Sequence, residues 1–183
     1  RVLLSLVLFD KTSFTEGTGC IKGDCEDGAG IMVFIKGSRF EGEFKDGLIH
    51  GQAVYTSAKG TYTGEFYEGN MTGKGTFVYI NGRTYKGSFE NGLADGHIVI
   101  TSNDGYRFDG MNRKHMAHGK GKMTLANGDT YQGDFVNGKF DGIGTYVGAD
   151  GKNYTGEFKD NMFHGKGILK YGCGNVYEGD FES

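Results

Sequence analysis

Short segments in which every second residue is aromatic or glycine recur along most of the chain. In one of them Tyr62, Gly64 and Phe66 alternate with polar residues, and after a short loop Gly75 and Phe77 alternate in the same way. Residues at every second position share one face of a β-strand. Each pair of segments therefore predicts a β-hairpin with one aromatic face. No long stretch has the apolar period of a helix, so we expect no helices among the hairpins.

The hairpin pattern repeats with a step of 23 residues. The glycine between the two aromatic residues recurs at six positions, Gly64, Gly87, Gly110, Gly133, Gly156 and Gly179. A further copy begins at Phe40, and a half-copy lies at Gly28–Gly30. Strict periodicity of this kind is typical of a repeat array, in which each unit packs on its neighbours. We expect a lead-in over residues 1–27 and an array of about seven units over residues 28–183, the first and last incomplete.

Two roles are predicted for glycine in each repeat. Asn-Gly or Asp-Gly recurs where one unit leads into the next, at Asn81-Gly82, Asp104-Gly105, Asn127-Gly128 and Asp150-Gly151. These dipeptides favour the positive φ angles of tight hairpin turns. The second role is within the strand, where glycine normally weakens pairing. Because this glycine lies two residues from an aromatic residue on each side, we predict that it leaves room for a ring to lie across the backbone.

Composition and charge exclude several classes of protein. Glycine supplies 35 of 183 residues, Pro and Trp are absent, and Phe and Tyr contribute 14 and 11 residues. Collagen is excluded because glycine does not recur at every third position, and the aromatic content argues against a disordered low-complexity chain. A formal net charge of -3 provides no general attraction for nucleic acid or an anionic membrane.

The succession of Tyr-x-Gly-x-Phe, a further Gly and Gly-x-Gly resembles the MORN (membrane occupation and recognition nexus) repeat. The resemblance covers about residues 28–183. It implies an all-β fold, an elongated and twisted single-layer antiparallel sheet of consecutive β-hairpins. It also implies a scaffold or docking surface for proteins, in some members close to membranes or fused to catalytic domains. The structural motif carried by the repeats includes Tyr62, Gly64 and Phe66 and the motif glycines of the later units.

Some positions depart from this repeat pattern. Asn112 replaces the Phe of its unit, and His115 replaces the glycine that follows. Ala53 and Ile98 each replace the second glycine of Gly-x-Gly. Asn161 also replaces a glycine, which is a mild change because Asn tolerates the left-handed backbone conformation.

The N-terminal segment differs from the repeats. Val2–Phe9 is an apolar run that is too short to span a bilayer. It is either the tail of a secretory signal or a buried edge strand that covers the first hairpin. Cys20 and Cys25 follow in a lead-in that resembles those of bacterial, often exported, MORN proteins. The two thiols are close enough to form a disulfide, which would fit an oxidising compartment, or they are reduced thiols of a degenerate repeat.

These features leave two possible locations for the protein. An exported or cell-envelope location is indicated by the apolar run and the cysteine lead-in. The alternative is a cytoplasmic protein associated with a membrane or the cytoskeleton.

Residues that could carry chemistry are few. A column of polar residues precedes Gly-x-Gly in successive units, and its members are His50, Asp95, His118, Asp141 and His164. Neighbouring hairpins are roughly 9–10 Å apart, whereas zinc–ligand bonds are about 2 Å long, so successive members cannot share one ion. Neither a nucleophile elbow nor a P-loop is present. We therefore predict no catalytic residues, no metal or cofactor site and no small-molecule substrate, and expect the column to cap turns.

An acidic residue follows the motif glycine in most units. The row comprises Glu43, Glu65, Asp134, Glu157 and Asp180. Because these residues are one position out of phase with the rings, they occupy the face opposite the aromatic residues. We expect a solvated face with Lys or Arg pairing across strands.

The aromatic row is the predicted binding surface. Most rings are expected to form the core, but we expect a single-layer sheet to leave some ring edges exposed for a peptide or helix of a protein partner. Tyr85, Tyr131 and Tyr154 are the candidate contacts, with Arg113 beside the interrupted unit. Two alternatives remain open, a targeting or regulatory module of a larger lipid kinase or methyltransferase and a phospholipid-binding module. The absence of a polybasic stretch counts against lipid, and no nucleic-acid partner is expected.

Overall fold

The computed structural model describes residues 19–34 and 36–182, and the apolar run Val2–Phe9 lies outside the described residues. The described part contains fifteen β-strands in one antiparallel sheet, and their order in the sheet is their order in the chain. The predicted all-β sheet of consecutive hairpins is confirmed. The chain divides after Ala94 into two compact units, which we call unit 1 and unit 2.

Unit 1 contains the first seven strands. They are β1 (Gly19–Gly23), β2 (Ala29–Val33), β3 (Arg39–Lys45), β4 (Leu48–Ser57), β5 (Gly60–Tyr67), β6 (Asn70–Tyr79) and β7 (Thr84–Glu90). The division falls within β8 (Leu93–Thr101). Unit 2 continues with β9 (Arg107–Arg113), β10 (Met116–Thr124), β11 (Thr130–Val136), β12 (Lys139–Val147), β13 (Asn153–Lys159), β14 (Met162–Lys170) and β15 (Val176–Phe181).

The turns inside the repeats and the turns between them differ. Asn137 and Gly138, which join β11 to β12, both have positive φ angles, 50° and 82°, as a two-residue hairpin turn requires. At Asn81-Gly82, between β6 and β7, only Gly82 has a positive φ, and the Asn81 side chain accepts a hydrogen bond from the Arg83 amide at 3.0 Å. The tight two-residue turns therefore lie within each repeat. The Asn-Gly and Asp-Gly turns that join one repeat to the next are longer.

The motif glycines face one another across the strands. In unit 2, strand pairing aligns seven of them in one row, Gly110, Gly121, Gly133, Gly144, Gly156, Gly167 and Gly179. A Cβ atom on Gly133 would lie 2.5 Å from the Cα of Gly144 and 2.6 Å from the hydroxyl oxygen of Tyr131. Side chains therefore have no space along this row, because aromatic rings cover it, Phe108 at Gly110 and Gly121 and tyrosines at the later glycines.

The core of unit 2 is built from rings that lie over the glycine row. Tyr131 stacks on Phe140 with ring centroids 3.8 Å apart and meets the edges of Phe135 and Phe158 at 5.1 and 4.9 Å. The next repeat has the same arrangement around Tyr154. Such edge-to-face and stacked pairs are favourable beyond the area that they bury. We call this side of the sheet the aromatic face and the other side the polar face.

Candidate interaction surface

The aromatic face of unit 2 is closed over Tyr131 and Tyr154. The side chain of Tyr131 is 1% exposed and that of Tyr154 is 0% exposed. Their hydroxyl groups also point inward, since Tyr131 donates to the carbonyl of Asp134 at 2.8 Å and Tyr154 to that of Glu157 at 2.8 Å. The expectation of exposed edges on these two rings is wrong, because each ring is covered by the rings of the adjacent strands.

Burial also shifts the ionisation of these tyrosines. Burial, reinforced by the negative charge of Asp134, raises the pKa of Tyr131 to about 12. The pKa of Tyr154 is raised as well, mainly by burial. Both hydroxyls therefore remain protonated near neutral pH and act as hydrogen-bond donors that hold the strand backbone.

The remaining two candidate contacts lie on different faces. Tyr85 of β7 is half-buried on the aromatic face, with the guanidinium of Arg83 5.3 Å from its ring centroid. Arg113 is exposed at the end of β9. Because it alternates with buried Phe108 and Asn112, it belongs to the polar face and not to the aromatic row.

The interrupted repeat around Asn112 places a polar side chain in the core. Asn112 occupies the place of a ring and is only 4% exposed. Within the described residues, both polar atoms of its amide are buried without a hydrogen-bond partner. Its neighbours Lys114 and His115 form the two-residue turn with φ angles of 48° and 66° in place of glycine. Burial lowers the pKa of His115, and the Asp95 carboxylate opposes this shift.

The acidic row has a structural role that the sequence pattern did not reveal. Glu65 accepts a hydrogen bond from the amide of Lys74 at 3.1 Å, and Glu157 accepts the equivalent bond from Lys166 at 3.1 Å. Asp134 does the same for Ile143, at 3.1 Å, and also pairs with the ammonium of Lys120 at 2.7 Å. Only this last contact is the cross-strand pairing expected from the sequence. The backbone bonds instead hold the irregular pairing beside Gly-x-Gly.

The aspartates of the polar column bind turns, as expected for capping residues. Asp95 accepts a hydrogen bond from the amide of Lys114 at 3.1 Å, and Asp141 accepts one from Asp160 at 3.5 Å. In each pair the donor lies nineteen residues further along, in the turn of the next hairpin. Across the described ranges, no three His, Cys, Asp or Glu side chains are grouped as ligands of one metal ion.

A disulfide bond joins Cys20 and Cys25 at the hairpin of β1 and β2. Cys25 is buried, and Cys20 is exposed. Cys173 is an exposed free thiol. Within residues 19–34 and 36–182, no helix has the length and apolar character needed to cross a membrane.

The polar face of unit 2 contains an open groove of about 900 Å³ between β8 and β13. Its floor is the backbone of the glycine row, where Gly110, Gly121, Gly133 and Gly144 line it. The side chains that border the floor include Arg107, Lys120, Lys122, Gln132 and Thr145. The sequence pattern predicted Lys or Arg partners for the acidic row, of which Lys120 is one. It did not single out the other four residues. Their phase, opposite to that of the rings, was the signal that could have identified them.

Ion pairs engage most charges of the groove. Asp109 pairs with the Arg107 guanidinium at 2.8 Å and lies 3.1 Å from Nε2 of His97. Asp134 is engaged by Lys120 and by a backbone amide. Lys122 is exposed at the centre, with its Cα paired to Asp109 on one side and to Gln132 on the other. No hydrogen bond or ion pair of the Lys122 ammonium is found within the described residues.

The polar face also carries exposed apolar side chains. Ile143 borders the groove and is 57% exposed, and Met111 of β9 is 45% exposed. Both alternate with inward-facing residues of their strands. The polar face therefore combines charge with accessible apolar surface, whereas the rings of Tyr131 and Tyr154 on the aromatic face are buried.

The regular repeats of this chain match a known protein family. The model of the MORN repeat matches six segments of the chain, residues 40–61, 62–82, 85–105, 109–130, 131–152 and 154–176. No curated protein sequence gives a significant match.

Solved structures that are similar to this chain include the TCP domain of SAS-4 (dCPAP) from Drosophila melanogaster, in complex with a proline-rich motif of Ana2 (dSTIL). It is 11% identical, with 90% of each chain covered and a TM-score of 0.51. The TCP10 domain of Danio rerio CPAP, in complex with a STIL peptide, is 17% identical over 90% of this chain and 100% of that chain, with a TM-score of 0.32. The first likeness supports the sheet fold. The six matched segments cover most of the sequence, and the chain therefore belongs to the MORN repeat family.

Proposed function

We propose that the protein is a non-catalytic scaffold that binds a protein partner through the polar face of unit 2. The observation that carries this proposal is the contrast between the two faces. The rings of Tyr131 and Tyr154 are buried in the core, whereas Met111, Arg113 and Ile143 are exposed on the polar face, where Ile143 borders an open groove. Interfaces combine accessible apolar and Arg anchors of this kind.

The pairing of the strands limits how a partner can bind to this face. Strands β9 to β14 are each paired on both sides, so a partner on their face cannot add a strand and is bound by side chains. The SAS-4 domain, which shares the fold, is in complex with a proline-rich motif. This supports a peptide segment as the bound element. The membrane-proximal and enzyme-module alternatives remain compatible with the repeat family, but no contact in the described residues favours them.

The face can be tested with variants that leave the core intact. We expect the double substitution Met111→Ser with Arg113→Ala to remove the partner that the wild-type chain captures from its native source, as quantified by mass spectrometry. The free energy of unfolding should change by no more than about 0.5 kcal/mol, because both side chains are exposed.

Lys86→Ala provides the matched control, since Lys86 is an exposed residue of β7 outside the groove. Capture should be unaffected by this change. Normal capture by the double variant, combined with loss in Tyr85→Phe, would place the interface on the aromatic face and contradict the proposal.

The disulfide supports an exported or otherwise oxidising location, which we also propose. Such bonds persist in secreted proteins and are rare in the cytosol. We expect the native chain to react with one equivalent of a thiol reagent, at Cys173, and the reduced and unfolded chain with three. Three reactive thiols in protein isolated from its native compartment without reduction would contradict an oxidising location.

A further inference from the structure

We infer that the groove of unit 2 binds an acidic peptide segment, with the ammonium of Lys122 as the principal cation that recognises it. This inference rests on the proposed polar-face function and specifies the chemistry of the partner. The charge, dimensions and apolar border of the groove support it.

The charges of the groove are not balanced. Three cations, Arg107, Lys120 and Lys122, line it together with the carboxylate of Asp109, and Asp134 pairs with Lys120 from the same face. Both carboxylates already have cationic partners, so they offer little to a basic ligand. Lys122 lies between Asp109 and Gln132 in the strand register and retains donors for an incoming carboxylate.

The dimensions suit an extended segment. The groove crosses six strands, from β8 to β13. At about 4.8 Å between neighbouring strands, the outer two are about 24 Å apart. An extended chain advances about 3.3 Å per residue, so about seven residues would fill the groove. Ile143 at the border provides apolar contact for a side chain of such a segment.

Other anionic partners fit less well. Unit 2 has no cluster of lysines on the groove that would neutralise many phosphates, and acidic side chains are interspersed among the cations. Binding to nucleic acid or to an anionic membrane requires several unpaired cations, because each contact contributes only modestly. An ammonium without a partner among the described residues, in a groove bordered by Ile143, matches one or two carboxylates of a peptide.

The test uses three labelled peptides of about eight residues, slightly longer than the groove. One repeats Glu-Leu-Ser, the second has Gln for each Glu, and the third has Lys for each Glu. Fluorescence anisotropy measures the affinity for the full chain, and amide chemical shifts identify the contacted strands. We expect the acidic peptide to bind at least about tenfold more tightly than its Gln counterpart and to shift the amides of Lys122 and Gln132.

Variants assign the effect to the side chain. Lys122→Gln should weaken binding of the acidic peptide about tenfold, and Lys122→Glu should weaken it further. Lys86→Gln, which removes an exposed lysine outside the groove, should leave the affinity unchanged. Thermal unfolding of all three variants should match that of the wild type, so that loss of binding cannot reflect unfolding.

Three outcomes would overturn the inference. If the Gln peptide binds as tightly as the acidic one and shifts the same amides, charge recognition fails but the proposed docking face stands. If vesicles of phosphatidylserine and phosphatidylcholine shift these amides and the acidic peptide does not, the ligand is a lipid surface. If no peptide shifts any groove amide and the Met111 and Arg113 variant retains its captured partner, the inference and the proposed function both fail.

Discussion

Replacement of Gly133 by valine is expected to destabilise the protein by about 3 kcal/mol, at the upper end of the usual cost of overpacking. Valine is the better strand former, so propensity alone predicts the opposite sign. A Cβ atom at this position would lie 2.5 Å from the carbonyl oxygen of Ile143 and 2.6 Å from the hydroxyl of Tyr131. The backbone cannot yield without losing strand pairing, and Tyr131 cannot yield without exposing its ring. Denaturant unfolding monitored by circular dichroism measures the loss.

Gln132→Val is the matched control for Gly133→Val. Gln132 is the preceding residue of β11 and is exposed on the polar face. Valine there should change the free energy of unfolding by no more than about 0.5 kcal/mol. A Gly133 variant as stable as this control would mean that the ring does not need the space above the glycine row.

Truncation of Tyr154 to alanine is expected to cost about 3–5 kcal/mol, the range of large buried aromatic residues. The ring is fully buried, stacks on Phe163 at 3.9 Å and contacts Phe158 and Phe181 edge-on at 5.0 Å each. Its removal would leave a cavity that spans adjacent repeats. Thermal and denaturant unfolding should both report the loss, because each repeat depends on its neighbours.

Two further variants separate the ring of Tyr154 from its hydroxyl. Tyr154→Phe removes hydrogen bonds to the carbonyls of Glu157 and His164, at 2.8 and 3.0 Å, and should cost about 1 kcal/mol. Tyr171→Ala, at an exposed residue beyond β14, should cost less than about 0.5 kcal/mol. If Tyr154→Phe were as damaging as Tyr154→Ala, the hydroxyl and not ring packing would dominate.

The hydrogen bonds of Tyr131 and Tyr154 also change how binding experiments are interpreted. A Tyr→Phe substitution at these positions removes a buried donor, so it tests strand stability as much as recognition. Arg113 is exposed, so its substitution tests recognition without removing a buried contact. Binding variants are therefore better placed on the polar face, where side-chain removal leaves the core unchanged.

Much of the fold could be predicted because the repeat is regular. Alternation of Tyr62, Gly64 and Phe66 predicted both the strand and its aromatic face, and the constant spacing predicted that hairpins follow one another. The turn chemistry was harder to assign. Asp-Gly and Asn-Gly occur both within the repeats and between them. Both residues have a positive φ in the turns within repeats, and only the glycine has one in the turns between repeats.

The sequence by itself determined the repeat, the hairpins and the residues that form the core, because periods of two and twenty-three residues are local properties of the chain. Only the tertiary structure decided which face is accessible. Strand register places Tyr131 over Gly133 and Gly144 and covers it with rings of neighbouring strands, and no single segment encodes that closure. The same register brings Lys120 of β10 to Asp134 of β11, while Arg107 and Asp109 pair along β9, and the Lys122 ammonium has no hydrogen bond or ion pair among the described residues. Charge pairing across strands depends on side chains far apart in sequence, which is why the groove emerged only from the folded sheet.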